Sequence, residues 1–210
     1  MDPSFEISVI IPTCNRKTSL FRVLKSLSDS VYPTKEVIII DSGEDSLTDA
    51  DLQFKNLNIR YLRSERSVCI QRNTGIQRAA SSWVFICDDD LEVPAQYLTL
   101  LTAHLTAHRN AGAVSGVVLQ KENSRWEEQY PVTTTRGLLW KFVFQLSIWG
   151  EIRVEHSTML ARFLKRYYKK KGNHLSKGGW PVVTDFSGDF FKTPVYGLGA
   201  SIVRKDWLLD

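Results

Sequence analysis

Three consecutive carboxylates, Asp88, Asp89 and Asp90, form the stretch of this chain with the clearest chemical potential. They follow directly on an apolar run at residues 84–87, and Pro94 comes shortly after them. An apolar run of this length, bounded by turn residues, is typical of a strand buried on both faces of a parallel sheet. Hard divalent cations bind carboxylate oxygens and often share them with substrate phosphates. Because adjacent acids repel each other unless a positive charge lies among them, the stretch predicts a metal site, with a solvated acidic loop as the alternative.

The segments around these acids predict alternating strands and helices. Apolar runs of strand length recur along the chain, separated by stretches in which leucines keep helical spacing. A strand, a helix and a second strand at this spacing form a βαβ unit, with parallel strands and a right-handed crossover. The predicted strands lie at residues 7–11, 37–40, 58–62, 84–87 and 113–118, and the predicted helices follow the first strand, span 67–80 and begin at Pro94. The pattern therefore predicts an α/β fold on a mostly parallel sheet.

Polar residues follow four of the predicted strands. They are residues 13–16, Asp41, residues 63–66 and residues 88–90. The carboxyl ends of parallel strands lie along one edge of a sheet, which is where open α/β sheets bind their ligands. We therefore expect one cleft that combines acids for a metal, an acid for a ribose or base, and arginines for phosphate.

Length and charge limit the classes of protein to which the chain can belong. Its 210 residues, 43% of them hydrophobic and 24% charged, suffice for one α/β domain with a sizeable core. The net charge of +4 is uneven: residues 1–124 carry 13 basic and 15 acidic residues, whereas residues 125–180 carry 11 and 4. A basic excess confined to one region argues against a general nucleic-acid-binding protein and favours a local anionic partner.

The cysteines and the apolar segments favour a cytoplasmic location. Cys14, Cys69 and Cys87 are odd in number and lack metal-ligand spacing, which is typical of a reducing compartment. The N-terminus is acidic and polar, unlike a signal peptide, and no apolar run reaches the ~18 residues of a membrane span. We expect a cytoplasmic protein, with peripheral attachment to the inner face of the membrane as an option.

Taken in order, these motifs resemble glycosyltransferase family 2, whose members have the GT-A fold. The similarity starts with Ser-Val-Ile-Ile-Pro-Thr-Cys-Asn-Arg at residues 8–16. It continues through Tyr-Pro at 32–33, Ile-Asp-Ser-Gly at 40–43, Arg-Asn-Thr-Gly at 72–75 and the three acids, and it resumes at residues 197–205. Residues 5–120 and 194–209 are covered, whereas residues 125–190 match no family. Each motif alone is weakly specific, but the ordered set is strongly specific.

The resemblance implies a single GT-A domain over residues 1–210. Residues 1–120 would be the nucleotide-sugar-binding half. Residues 121–210 would be an acceptor-side half that is incomplete at its C-terminus and carries a basic, aromatic, helical insert near residues 125–190. Enzymes of this family transfer a sugar from a nucleotide donor, here UDP-, GDP- or dTDP-linked, to a glycan or lipid-linked acceptor. The resemblance implies Mn²⁺ or Mg²⁺ as cofactor, inversion at the sugar carbon and no nucleic-acid partner.

The resemblance also implies which residues bind the nucleoside of the donor. Asp41 would accept a hydrogen bond from the base or the ribose, with Asp45 beside it. The family often has an aromatic side chain that stacks on the base at the position of Cys14, and a cysteine cannot stack. The residues expected to border the base are Pro12, Thr13, Cys14 and Arg16.

The resemblance implies that a second group of residues binds the diphosphate and the metal. Arg72 would lie near the diphosphate. Asp88 and Asp90 would be the outer acids of the family's Asp-x-Asp motif, with Asp90 as the direct metal ligand and Asp89 as a further donor-binding residue. Departure of a nucleoside diphosphate builds negative charge on its oxygens, which a carboxylate-held cation neutralises as a Lewis acid.

The general base that activates the acceptor is not assigned by the motifs. In the family it lies downstream of the Gly-Ala strand, so we expect it beyond Asp210, with Asp185 and Asp189 as the alternatives within the chain. A non-catalytic nucleotide-sugar or glycan-binding module is therefore a rival interpretation. A nucleotidyltransferase is a second rival, although that class normally brings a Gly-rich phosphate loop and residues 12–16 contain no glycine.

An aromatic and basic stretch at residues 138–171 lies within the unmatched region. Residues 138–149 are apolar nearly all round and predict one helix, and six basic residues between 162 and 171 surround Tyr167 and Tyr168. This pattern fits a peripheral membrane contact near a lipid-linked acceptor. The alternative is a core or dimer helix followed by a solvated charge run.

Overall fold

The structure, a computed structural model, describes residues 5–117, 119–122, 125–128, 131–154, 158–186, 190–197 and 199–209. The chain divides into two compact units, the first formed by residues 1–116 with 197–210 and the second by residues 117–196. Each unit has its own apolar core. The predicted division at residue 120 into donor and acceptor halves remains a prediction.

Strands and helices alternate through the first unit, and shorter elements make up the second. The strands are β1 (Ile7–Thr13), β2 (Glu36–Asp41), β3 (Ile59–Arg63), β4 (Trp83–Cys87), β5 (Ala113–Ser115), β6 (Leu119–Glu122), β7 (Arg125–Glu128), β8 (Ile148–Trp149), β9 (His174–Leu175), β10 (Pro181–Val183) and β11 (Ala200–Arg204). The α-helices are α1 (Lys17–Ser28), α2 (Val68–Arg78), α3 (Tyr97–Ala107), α4 (Thr135–Val143) and α5 (Met159–Lys171). Short 3₁₀ helices span Asp49–Leu52 and Lys205–Leu208.

The first unit is built on a sheet with the strand order β3-β2-β1-β4-β11-β5. Strands β1 to β4 pair in parallel, whereas β11 runs antiparallel between β4 and β5. Every residue of β1 and β2 is buried, and most of them are apolar, as expected of strands that are covered on both faces. The predicted α/β fold on a mostly parallel sheet is therefore confirmed, and its single reversed strand lies directly beside the three acids.

The helices of the first unit pack their apolar stripes on this sheet. Helix α1 buries Leu20, Val23, Leu24 and Leu27, and α3 buries Leu98, Leu101 and Leu105. Helix α3 begins at Tyr97 rather than at Pro94, because residues after the proline form a turn in which the Tyr97 N–H donates to the Pro94 carbonyl over 2.9 Å. Ser67 caps α2 by accepting a hydrogen bond from the Ile70 N–H.

Gly75 allows α2 to approach the sheet closely. A Cβ at this position would lie 2.5 Å from Ile10 Cγ2 and 2.7 Å from Ile40 Cδ1, both in fully buried side chains. We expect Gly75→Ala to lower the free energy of unfolding by roughly 1–3 kcal/mol, because overpacking outweighs the better helix propensity of alanine. Urea denaturation should show this loss, and the exposed neighbour Gln77→Ala should change stability by less than about 0.5 kcal/mol. A Gly75→Ala variant as stable as the parent would contradict the tight packing.

A buried carboxylate at the start of β2 joins three elements of the first unit. Glu36 is 3% exposed and accepts hydrogen bonds from Ser8 Oγ at 2.8 Å, the Ala80 N–H at 2.7 Å and Arg60 Nη1 at 2.7 Å. Burial alone would raise the pKa of Glu36, but these three donors together lower it below its usual value. The sequence analysis did not single out Glu36, since a lone acid at a strand start gives no signal of burial.

The second unit contains strands as well as helices. Strands β6 and β7 form an antiparallel pair, and β8-β10-β9 form a small mixed sheet. Helices α4 and α5 pack on each other and share a core that includes Leu138, Ile148 and Leu164. The expected helical insert is therefore mixed in secondary structure. Within the described residues, no helix is long and apolar enough to cross a bilayer.

The prediction of one helix over residues 138–149 is wrong. Helix α4 ends at Val143, Gln145 adopts a left-handed conformation with φ of 53°, and Ile148 and Trp149 pair with β10. The Lys141 ammonium donates to the Ser147 carbonyl over 2.7 Å across this turn. The stretch is apolar both where it forms the helix α4 and where it forms the strand β8. Hydrophobic periodicity over so short a window cannot distinguish these two elements.

Candidate active site

The ends of β1, β2 and β3 place three polar residues side by side. The strand register aligns Thr13 with Asp41, and Asp41 with Arg63. Asp41 is 3% exposed; its Oδ2 accepts from Tyr61 at 2.8 Å and from Arg63 Nη1 at 2.9 Å, and its Oδ1 accepts from the Gly43 N–H at 2.7 Å. The hydrogen bond to Tyr61 and the charge of Asp41 raise the pKa of Arg63, which stays a cation. Asp41 is thus held at the sheet edge by two donors from β3 and one from the turn after β2.

Asn15 shapes the loop that follows β2. It adopts a left-handed conformation with φ of 55°, and its Oδ1 accepts the Glu44 N–H at 2.7 Å. A Cβ on Gly43 would lie 2.6 Å from that same oxygen, so the close approach of the two loops needs a glycine here. Arg16 is the N-cap of α1, and its side chain makes no capping hydrogen bond to that helix.

These loops enclose a cleft of about 450 Å³, a volume suited to a small-molecule ligand. Its walls combine cationic, acidic and apolar side chains. The lining residues are Thr13, Asn15, Arg16, Lys17, Leu20, Asp41, Glu44, Asp45, Ser46 and Leu47. The structure thus brings together four residues expected at the nucleoside, Thr13, Arg16, Asp41 and Asp45.

The other two residues expected at the base lie differently. Pro12 is buried within β1, where it pairs with Ile40, and it does not line the cleft. Cys14 is half-buried, and its Sγ lies 3.7 Å from the Ser42 carbonyl oxygen. Their predicted contact with the base stays a prediction.

The three acids after β4 are paired with two arginines. Asp88 Oδ1 accepts from Arg72 Nη2 at 2.6 Å, whereas Arg16 Nη1 donates to Asp89 Oδ1 at 3.1 Å and to Asp90 Oδ2 at 2.9 Å. Hydrogen bonding to Asp89, and then to Asp90, raises the pKa of the Arg16 guanidinium. The positive charge expected among the acids is thus present as protein side chains, and no cluster of three or more metal-ligating side chains is found among the described residues.

The inner acid differs from the two outer ones. The Asp89 side chain is 7% exposed, and its Oδ2 accepts from Thr13 Oγ1 at 2.7 Å. The side chains of Asp88 and Asp90 are 38% and 52% exposed. Asp89 therefore joins β1 to the acidic loop, while the outer carboxylates stay accessible to a cation or a ligand.

Gly199 lies directly before the antiparallel strand β11, and its lack of a side chain leaves room for Asp88. The Asp88 N–H donates to the Gly199 carbonyl at 2.9 Å, and a Cβ on Gly199 would lie 2.4 Å from Asp88 Oδ2. The Gly-Ala motif before β11 therefore has a steric role at the acidic loop. Leu198, within the same motif, lies outside the described residues.

Two residues of α2 face the sheet edge. Gln71, which the sequence analysis missed, is 4% exposed and donates to the carbonyls of Thr13 and Ile40, both at 2.7 Å. Arg72 pairs with Asp88, and its buried Nε has no hydrogen-bond partner within the described part of the chain. A buried donor without a partner costs free energy, so it favours an added acceptor at this point. The signal for Gln71 was a polar residue on the buried face of a predicted helix.

The remaining titratable candidates are less informative. Burial raises the pKa of the Cys87 thiol, so this cysteine is an inert core residue. Asp185 lies in the second unit, where its backbone N–H donates to Asn173 Oδ1 at 3.1 Å. Asp189 lies outside the described residues. Their assignment as catalytic base remains a prediction.

Comparison with known proteins points to one family. The model for "Glycosyl transferase family 2" matches residues 8–172, so the similarity extends into residues 125–172, where the sequence motifs had indicated no family. The chain is 29% identical over 87 residues to the uncharacterized glycosyltransferase YwdF of Bacillus subtilis, covering 40% of this chain and 32% of that protein. It is 28% identical over 102 residues to the GalNAc(5)-diNAcBac-PP-undecaprenol beta-1,3-glucosyltransferase of Campylobacter jejuni, covering 46% and 33%.

A solved structure supports the fold. Residues 1–349 of S. aureus TarS in complex with UDP superimpose with a TM-score of 0.50 at 20% identity, over 86% of this chain and 58% of that one. The chain spans about a third to two fifths of the length of the first curated relatives it matches. The family model covers most of the chain, and the parallel sheet with acids at the end of β4 has the architecture expected of that family. The chain therefore belongs to glycosyltransferase family 2 and has the GT-A fold.

Proposed function

We propose that this chain binds a nucleotide sugar at the carboxyl edge of the sheet in the first unit and transfers its sugar to an acceptor hydroxyl. The observation that carries the proposal is the acidic loop, in which two exposed carboxylates flank a buried one directly beside a cleft of ligand size. Thr13 and Arg16 belong to both the cleft and the contacts of the loop. Nucleoside binding and diphosphate binding are thereby linked through the same two side chains.

A divalent cation fits the acidic loop in its chemistry. Asp88 and Asp90 offer exposed, hard carboxylate oxygens of the kind that Mg²⁺ and Mn²⁺ prefer. We propose these two residues as its ligands, with Asp90 foremost, and when bound the cation would neutralise charge on the leaving diphosphate. Asp88 and Asp90 now pair with Arg72 and Arg16, so a cation must compete with two guanidinium groups for them.

The arginines have their own part in donor binding. Arg16 and Arg72 are the cations nearest to the acids, and guanidinium groups suit the bidentate recognition of phosphate. The unpartnered Nε of Arg72 supports its role at the diphosphate. We propose that the donor's phosphates would bind Arg16 and Arg72 while a cation would bind Asp88 and Asp90. The added negative and positive charges would then offset each other.

The acceptor and its activation are less constrained. The name of the Campylobacter relative includes a glycan linked to PP-undecaprenol. This similarity supports a lipid-linked glycan as the acceptor here. Inversion needs a general base near the acceptor hydroxyl, and such a base contributes roughly 10²–10⁴-fold to the rate. Asp185 and Asp189 are the candidates in the second unit, to be tested as Asp185→Asn and Asp189→Asn in transfer assays.

Thermal shift with nucleotides tests the proposed donor site. We expect UDP-, GDP- or dTDP-linked sugars to raise the melting temperature in the presence of Mn²⁺, and one base to act more strongly than the others. At about 100 times the dissociation constant, binding stabilises by roughly 2.7 kcal/mol, which corresponds to about 5–10 °C for a chain of this size.

Arg72→Gln should reduce this shift, whereas Arg78→Gln, an exposed change near the end of the same helix, should leave it intact. A shift produced equally by every nucleotide, or by none, would contradict a specific donor site. Release of inorganic diphosphate from a nucleoside triphosphate and a sugar phosphate would instead identify a nucleotidyltransferase.

A further inference from the structure

The solvent face of helix α5 carries apolar and basic residues where a free surface helix would carry mixed polar ones. Ala161, Leu164 and Tyr168 face the core of the second unit. On the opposite side, helical spacing places Met159, Phe163, Arg166 and Lys170 along one stripe. Met159 is 80% exposed and Phe163 is 61% exposed. The stripe therefore starts apolar and ends basic, and it lies outside the apolar core that the described residues of the second unit form.

Helix α4 adds exposed aromatic rings to the same unit. The helices pack through Phe142, whose ring lies 5.1 Å from that of Tyr167. Trp140 and Phe144 point away from this contact; they are 59% and 54% exposed, and their ring centroids lie 4.3 Å apart. We refer to Met159, Phe163, Arg166 and Lys170, the outer stripe of α5, as the aromatic–basic surface, and the exposed rings of α4 are not counted in it.

The charge of this unit is strongly one-sided. Residues 117–196 contain 13 basic and 7 acidic residues, whereas the first unit contains 14 and 16. Helix α5 has six basic residues and no acidic one. Some of its cations are engaged internally: Lys165 donates to the Val154 carbonyl at 3.2 Å, and Lys171 lies 5.7 Å from the centroid of the Tyr167 ring. Arg166 and Lys170 are exposed at the outer stripe.

This combination of groups identifies the partner by its chemistry. A second copy would bring two basic surfaces together, which their charge opposes. A polyanion without apolar parts would leave the exposed side chains of Met159 and Phe163 in water. A bilayer with anionic lipids offers both parts, because headgroups attract the cations while aromatic and aliphatic side chains enter the headgroup–acyl boundary.

We propose that the aromatic–basic surface binds bilayers that contain anionic lipids, with Arg166 and Lys170 at the headgroups and Met159 and Phe163 inserted at the boundary. The binding is a property of the second unit and does not depend on the donor site. The proposed contact is limited to four residues on α5, a smaller set than the stretch 138–171 predicted from the sequence.

Co-sedimentation of the whole chain with vesicles tests the electrostatic part. Binding to phosphatidylcholine mixed with phosphatidylglycerol is expected to exceed binding to phosphatidylcholine alone and to weaken as salt is raised. Arg166→Gln with Lys170→Gln should lower the partition coefficient about 25-fold, since each cation near an anionic surface contributes about fivefold. Arg22→Gln with Lys55→Gln removes the same charge from exposed sites of the first unit and should have little effect.

Fluorescence quenching by brominated lipids tests insertion. Phe163→Trp is expected to add quenching on anionic vesicles relative to the parent chain, whereas Leu100→Trp, at a 56% exposed site of the first unit, should add none. Melting temperatures verify that the variants fold. Equal binding to neutral vesicles, an unchanged partition coefficient in the double Gln variant, equally tight binding to duplex DNA, or dimerisation without vesicle binding would each overturn the proposal.

Discussion

Replacing Asp90 with asparagine should remove the Mn²⁺-dependent part of nucleoside diphosphate binding while the fold stays intact. Asp90 is the most exposed of the three acids, with 52% of its side chain accessible, and its recorded partner is Arg16 at 2.9 Å. Losing this carboxylate deprives a cation of its foremost proposed ligand, and even changes in residues that only support metal ligands cost 10–100-fold in affinity. We expect a loss on the order of 100-fold in titration calorimetry with UDP or GDP and Mn²⁺.

Two further variants make this result interpretable. Asp29→Asn changes another exposed carboxylate, paired with Lys25, and should leave nucleotide binding unchanged. Arg16→Gln removes the guanidinium that competes for Asp89 and Asp90, so binding of Mn²⁺ without nucleotide, followed by electron paramagnetic resonance, should strengthen several-fold. Unchanged metal-dependent binding in Asp90→Asn would show that the assignment of the Asp-x-Asp motif is wrong.

Removing the carboxylate of Glu36 should lower the free energy of unfolding more than the other substitutions named above. Glu36→Ala leaves the fully buried Ser8 hydroxyl without its acceptor and frees the Ala80 N–H and Arg60. Breaking a buried charged network of this kind costs about 3–5 kcal/mol, and because Arg60 is 41% exposed and can rehydrate, we expect the lower end, near 3 kcal/mol. Thermal melting should show a drop of about 6–12 °C. Glu6→Ala, which removes an exposed partner of Lys35, should shift stability by less than about 0.5 kcal/mol.

The same carboxylate predicts a pH dependence. The pKa of Glu36 is lower in the folded chain than the ordinary glutamate value of 4.5, so near that pH the unfolded state binds more protons than the folded state. Its contribution to stability is therefore complete above about pH 4.5 and is lost as the pH falls through the folded-state pKa. Glu36→Gln should flatten this part of the stability profile measured by urea denaturation. A profile identical to that of the parent would show that the carboxylate is not charged in the folded chain.

The charges at the sheet edge suggest how the site stays ordered before a ligand arrives. Arg16 and Arg72 offset two of the three negative charges of the adjacent carboxylates, which would otherwise repel each other more strongly. Because the pair Arg16–Asp90 is half-exposed, its net energy is small. A weak internal pair can be exchanged for other charged partners at little cost, which fits the proposed binding of a cation and a diphosphate at this edge.

Several features of this protein could be predicted from its sequence alone. The apolar runs of β1, β2 and β4 and the polar residues that follow them are local patterns, so they predict a parallel sheet and its binding edge without knowledge of any contact. The ordered motifs likewise identified the family. These inferences hold because strand burial and helix periodicity are encoded within about ten neighbouring residues.

Other features depend on contacts between residues far apart in the chain, and only the tertiary structure decided them. The place of β11 between β4 and β5 brings Gly199 against Asp88, and the fold turns Gln71 toward β1 and β2 and Glu36 toward Ser8 and Arg60. The end of α4 at Val143 follows from the pairing of Ile148 with Val182, not from the apolar residues themselves. A residue's type determines which bonds it can form. Its partners depend on which distant segment the fold brings beside it. These partners decide whether an acid can bind a ligand, joins two segments or is buried in a hydrogen-bonded network.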